Sequence, residues 1–274
     1  MNILKLVLLL LSLVWLPALA ESPPCTVGQK VDLATLKSRI IVVGEWHGTN
    51  EIPAFVTELA CAIVKTGKPL ILGLEIPTDL QAGVNDYINS QGSAVDQQKF
   101  IATDFGKLED GRGSLAIFNL IEAMRKIRST GAQLAVMGFD LSEANLPPPL
   151  YPGEKIWKGE RNMAMARNIE SRAHVYPHHT LLNLVGIVHA SKKKGASWDI
   201  GYEPMAYLLS QRIPIHTINF TAKGGFAWFC GKPSETGQLN CKENAVAAFA
   251  KSPEGDFDTW VDFEKFSASK PVRQ

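Results

Sequence analysis

The chain has 274 residues, of which 46% are hydrophobic and 20% charged, which is enough apolar matter for a packed core and too little charge for disorder. Lysine and arginine together number 28 against 27 aspartates and glutamates, so no basic excess is left to hold a nucleic-acid backbone. Four cysteines are too few for a disulfide-built scaffold.

The first predicted element is an address. Lys5 gives a short positive start, Leu6 to Leu16 is almost wholly apolar, and Ala18-Leu19-Ala20 offers small residues before polar Glu21-Ser22. That pattern reads as a signal peptide over residues 1–20, too short to anchor in a bilayer. Residues 21–274 are then expected to form one exported domain, periplasmic or secreted. Loss of Lys5 leaves basic and acidic residues equal in number. An oxidising compartment calls for pairing of Cys230 with Cys241, which flank a loop with Gly231, Pro233 and Gly237. Cys25–Cys61 would be the remainder, with a buried free thiol as the plainer reading of Cys61.

Downstream, short continuous apolar runs alternate with helical patterns. Strands are expected at Ile40–Val43, Leu70–Leu74, Leu134–Phe139, Leu181–Val188 and Ile213–Ile218. Their continuity is that of strands covered on both faces. Between them, Pro53–Lys65, Thr78–Ile88 (opening on Thr78-Asp79-Leu80-Gln81, with capping-box spacing), Ser114–Arg128, Arg161–Arg172 and Glu203–Gln211 have helical spacing. The order predicts an α/β fold with a mostly parallel central sheet flanked by helices. Pro147 to Gly153 is expected to be a surface loop. From about residue 222 the sequence turns rich in Gly, Lys and aromatic residues and reads as a C-terminal elaboration.

The residues at the strand exits carry the chemistry. The first strand leads into Gly44-Glu45-Trp46-His47-Gly48, the second ends in Glu75, the third in Asp140, and the fourth in His189. Ligands of open parallel sheets bind at the carboxyl edge of the strands. Two carboxylates and two imidazoles buried there together would be costly unless they bind something or one another. His47 has the character of a general base at neutral pH, oriented by Glu45 or Glu75. Free N–H groups at the start of the following helix would favour a developing oxyanion. Arg112, in the turn Asp110-Gly111-Arg112, and Arg161, at a helix start, have the geometry to hold negative charge. The candidate catalytic set is Glu45, His47, Glu75, Arg112 and His189. Glu51, Asp140 and Arg161 are candidate substrate-binding residues. His47, Glu75 and His189 are also donor types of a divalent-metal site, without a short spacing such as HExxH.

These segments, with Gly73-Leu74-Glu75-Ile76-Pro77, Arg161-Asn162-Met163-Ala164 and Gly186-Ile187-Val188-His189-Ala190, resemble the superfamily of erythromycin esterases, ChaN haem-binding proteins and Tiki proteases. The resemblance runs from about Ile40 to His189. Its esterase branch implies metal-independent hydrolysis, with roles falling on Glu45, His47, Glu75, Arg112 and His189. Its Tiki branch implies a divalent-metal peptidase, and its ChaN branch haem bound through a tyrosine, for which Tyr87, Tyr151, Tyr176, Tyr202 and Tyr207 are the candidates. The expected function is an exported hydrolase acting on an ester, lactone or amide in a small molecule or peptide. The alternative is a haem- or metal-binding uptake protein. No nucleic-acid partner and no stable membrane anchor are expected.

Overall fold

A computed structural model describes residues 31–142, 157–231, 240–251 and 255–273. The predicted leader, Cys25, the Pro147–Gly153 loop and most of the loop between Cys230 and Cys241 lie outside them. Six strands form the central sheet: β1 (Ile40–Glu45), β2 (Leu70–Pro77), β3 (Leu134–Asp140), β4 (Thr180–Gly186), β5 (His216–Ala222) and β8 (Thr259–Phe263), in the order β3-β2-β4-β1-β5-β8. Every neighbouring pair is parallel. Helices cover both faces, so the α/β architecture is the one the sequence predicts.

The strand pattern explains the continuous apolar runs. In β1, Ile41 and Val43 enter one core while Ile40 and Val42 enter the other. Leu72 and Leu74 divide from Ile71 in the same way. Period-two alternation therefore sends each strand's residues to two hydrophobic layers rather than to core and solvent. The larger layer is filled from α1 (Glu51–Lys65), α2 (Gln81–Ile88), α3 (Ala94–Ile101) and α4 (Leu115–Ser129), the smaller from α5 (Trp157–Val175) and α7 (Met205–Ser210). Under α2 and α3, Tyr87, Phe100, Phe105 and Phe118 stack in one aromatic cluster.

Several boundaries differ from expectation for local reasons. Chain direction changes at Gly186, and α6 (Ile187–Ala190) occupies the last residues of the expected fourth strand. The fifth begins at His216, because Pro214 has no N–H to give a ladder. Thr78–Leu80 form a 3-10 turn, and α2 starts without a side-chain cap. The capping box belongs instead to Ser93 and Asp96, at the start of α3. After β5 the chain makes an antiparallel hairpin of β6 (Gly225–Cys230) and β7 (Cys241–Val246). It then returns to add β8 to the main sheet. Cys230 and Cys241 are bridged across the hairpin as expected. Cys61 is disulfide-bonded too, contrary to the free-thiol reading. Among the described residues no helix is long and apolar enough to cross a membrane.

Candidate active site

The topology places β4 between β2 and β1. Glu75 of β2, His189 of α6 just after β4, and Glu45 and His47 at the end of β1 therefore meet at one point of the carboxyl edge. They line a cavity of about 480 Å3 together with Asp110, Arg112 and Arg161. Its remaining walls are apolar: Trp46, Ile187, Val188, Phe229 and Cys230.

His47 is clamped between two carboxylates. Its Nδ1 lies 3.0 Å from Glu45 Oε2 and its Nε2 lies 3.4 Å from Glu75 Oε2. Glu45 and Glu75 are 3% and 5% exposed, whereas the His47 side chain keeps 23%. Burial alone would lower the imidazole's pKa, but the charges of Glu75 and then Glu45 outweigh it and raise it to about 10. The two carboxylates thus favour the imidazolium form of His47. Glu45 Oε1 is buried without a hydrogen-bond partner among the described residues.

Glu75 organises the floor. Its Oε1 accepts from Arg161 Nη2 at 2.6 Å and its Oε2 from the Gly186 N–H at 2.5 Å. Burial opposes its charge, but His47 and Arg161 help to hold its pKa well below the ordinary carboxylate value. A Cβ on Gly186 would lie 2.8 Å from His47 Nε2, so only glycine lets β4 end beneath the imidazole. His189 is the complementary case. Burial, with Arg161 and His47 adding to it, lowers its pKa to about 4 against the pull of Glu75. Its Nδ1 donates to Asn162 Oδ1 at 2.6 Å, and Tyr202 Oη lies 3.0 Å from the same nitrogen. Its Nε2 lies 3.8 Å from Glu75 Oε1.

Both arginines are bonded to carboxylates, Arg161 through Nε and Nη2 alone. Arg112 Nε and Nη2 bind Asp110 at 2.9 Å and 2.6 Å, and Nη1 binds Asp140 at 2.8 Å. Arg161 takes Asp140 at 2.5 Å and 2.7 Å beside its bond to Glu75. Asp140 is 2% exposed and stands behind both guanidinia rather than in the cavity wall. From there it holds both Arg112 and Arg161. Glu51 is displaced further. Both its oxygens accept from the Ser267 N–H, and Oε1 also from the Ser267 hydroxyl. Asn50 bonds the same tail, which meets the start of α1 where an oxyanion was expected.

Sequence reasoning gave Asp110 and Asn162 no role in the site and offered Tyr202 only as one of five candidate haem ligands. Asp110 and Asn162 each neighbour or nearly neighbour a candidate arginine, which is the signal that was there to follow. Tyr202 lies in a loop with no local pattern. The hairpin was missed as well. Its Trp228 N–H donates to Gly48 O at 2.9 Å, and its indole N–H donates to Glu109 O at 3.1 Å. It thereby ties the His47 loop to the Arg112 loop and puts Phe229 and Cys230 on the cavity wall.

The donor set does not fit the groups that two branches of the resemblance imply. Among the described residues no three of His, Cys, Asp and Glu are arranged to hold a metal ion. Glu75 already accepts from Arg161 and Gly186. No described tyrosine lines the cavity: Tyr202 sits behind His189, and Tyr87 donates to Glu122. Tyr151 lies outside the described residues.

No family model and no curated protein matches the chain. Solved structures do. A mutant of the erythromycin esterase EreC in its open conformation aligns over 77% of this chain and 76% of its own, with 14% identity and a TM-score of 0.61. A succinoglycan biosynthesis protein aligns over 85% and 89%, with 12% identity and a TM-score of 0.61. A Bacillus cereus protein aligns over 86% and 90%, with 11% identity and a TM-score of 0.53. The fold implied by the sequence resemblance is the fold this chain has, and at these identities the likeness is one of fold.

Proposed function

We propose that the chain is a hydrolase that adds water to an ester, lactone or amide, with Glu45 and His47 acting as one unit. The observation that carries this is the unpaired, buried Glu45 Oε1 beside an imidazolium held between two carboxylates. Water donates to Glu45 Oε1, gives up its proton there and attacks the carbonyl carbon. His47 Nε2–H is only loosely held by Glu75 at 3.4 Å, so it is free to bond the developing oxyanion and then protonate the leaving oxygen or nitrogen. The carbon–heteroatom bond breaks; His47 keeps its Nδ1–H on Glu45 Oε2, Glu45 releases the water-derived proton to solvent, and the emptied Nε2 takes one up from solvent to restore the starting state. Arg112 and Arg161 keep the carboxylates ionised and in place. The roles of Glu45 and His47 are thus exchanged relative to the sequence reading, because two carboxylates rather than one face the imidazole.

The test is a panel of neutral esters, lactones, amides and peptides, run with chelator and with haem as separate additions. Turnover that survives chelation and disappears in His47→Ala is expected. Absence of turnover across the panel, or full activity in that variant, overturns the reading. Export belongs to the same proposal. Residues 1–20 have the pattern of a cleaved leader, and the Cys230–Cys241 bridge supports an oxidising destination. The intact mass of the secreted product is expected to correspond to a chain starting at Glu21, and a retained leader contradicts it.

A further inference from the structure

The cavity wall offers a hydrogen-bond donor that its own acceptors do not use. Three carboxylates line it, Glu45, Glu75 and Asp110, and three basic side chains pair with them, His47, Arg161 and Arg112. Every oxygen of Glu75, Asp110 and Asp140 already accepts a bond. Glu45 Oε2 is taken by His47 Nδ1, and Glu45 Oε1 is a buried atom. On the donor side Arg161 is the exception. Its Nε and Nη2 donate to Asp140, and Nη2 also to Glu75, at 2.5–2.7 Å. Its Nη1 carries two more N–H groups, has no partner among the described residues and keeps contact with solvent. In a planar guanidinium Nη1 lies across from the Nε–Nη2 edge, so the open nitrogen points away from Asp140. Three bonds thus fix that nitrogen in place without occupying it.

We infer that this cavity binds carboxylic acids with an apolar body, the carboxylate accepting from Arg161 Nη1 and the body lying against Trp46, Ile187, Val188 and Phe229. A carboxylate is favoured over a neutral acceptor because its bond to a guanidinium is charge-assisted. The guanidinium is already held, so binding costs little further side-chain entropy. An amine meets only oxygens that are engaged or buried. Hydrolysis of an ester, lactone or amide releases an acid. Where the proposed reaction holds, a reading on which this consequence alone rests, the acid product is retained at Arg161 and competes with substrate.

The experiment measures binding and needs no turnover. Four probes are titrated calorimetrically against the intact protein near pH 7: 3-phenylpropionate, its neutral isostere 3-phenylpropanamide, 3-phenylpropylamine and acetate. The phenylpropionate is expected to bind at least about tenfold more tightly than the amide, as a charge-assisted hydrogen bond warrants. The amine is expected to bind weakest of the three phenyl compounds, and acetate, which lacks the body, more weakly than phenylpropionate. In Arg161→Gln, checked for folding by circular dichroism, phenylpropionate should fall to the level of the amide. Should that variant not fold, NMR of the arginine side chains in the unaltered protein reads the same bond: the Arg161 Nη signals should shift with the acid and not with the amide. No acid binding, an amide or amine that binds as well as the acid, acetate equal to phenylpropionate, acid affinity retained in folded Arg161→Gln, or unmoved Arg161 signals overturns the inference. A protein that binds the acid and turns over nothing retains this inference and loses the hydrolase reading; turnover without acid binding does the reverse.

Discussion

Glu75 receives bonds from Arg161 and the Gly186 N–H while facing His47 and His189. Glu75→Gln removes a buried charge and strands its partners, at a cost of about 3–5 kcal/mol by analogy with broken buried pairs. Thermal unfolding of the variant should show that loss, and NMR titration should find the His47 pKa well below its value of about 10 in the intact site. An unchanged His47 titration contradicts the clamp. The histidines also set the pH profile of stability. His47 has a folded pKa of about 10 against an ordinary 6.5, so its contribution is complete below pH 6.5 and declines as pH rises to 10. His189 titrates at about 4 in the fold. The unfolded chain therefore takes up a proton first as pH falls below 6.5, and stability falls toward pH 4. His216, buried and lowered by desolvation, acts in the same direction. Glu75, depressed, adds its loss below its ordinary value of 4.5. Melting temperature measured from pH 4 to 10 should therefore peak near 6.5. The alkaline decline should flatten in His47→Gln, and a flat alkaline limb in the unaltered protein refutes the assignment.

At the scale of elements, the hairpin β6–β7 is the part that sequence periodicity says least about. Its strands are short and half-exposed, so neither face carries a clean apolar pattern. What holds it is backbone proximity. Gly48 has φ of 71°, and a Cβ there would collide with Trp228 O; a Cβ on Gly111, with φ of 94°, would lie 2.8 Å from the same atom. Loops bearing His47 and Arg112 are thus pressed against the hairpin in a way that only glycine permits. The bridge between Cys230 and Cys241, 11 residues apart, closes the hairpin's far end. Paired Cys230→Ser and Cys241→Ser substitutions should cost about 3 kcal/mol through loop entropy and lower the melting temperature by roughly 10 °C. Because Cys230 lines the cavity, turnover should fall in the same variant, and unchanged turnover would separate the hairpin from the active cavity.

Over the whole molecule, the C-terminal tail reaches back to the start of the chain's chemistry. The Ser267 N–H and hydroxyl donate to Glu51 at the start of α1, and Ser269 Oγ accepts from the Ala116 N–H at the start of α4. Ser269 N donates to Gly48 O, Leu115 N to Lys270 O, and Val272 N to Gly113 O. Two helix starts and the loops of His47 and Arg112 are therefore completed by residues more than 150 positions away. Truncation after Phe266 should lower the melting temperature and weaken turnover, while circular dichroism retains an α/β spectrum. Native turnover in the truncated chain contradicts this role.

The sequence by itself determined the sheet's first five strands and the strand-end carboxylates and imidazoles, because both are local. Apolar runs of strand length and the residue after each run can be read without knowing what lies beside them. It also determined the Cys230–Cys241 pair, whose closing loop is short. Tertiary structure alone decided the strand order that brings Glu75 and His47 together across β4. It alone assigned Glu51 to the tail, placed Asp140 behind both arginines and put β8 in the sheet. The protonation of His47 belongs to the same class. One neighbouring carboxylate in the sequence leaves an imidazole near its ordinary range, and the second, brought from 28 residues downstream by the fold, holds it charged.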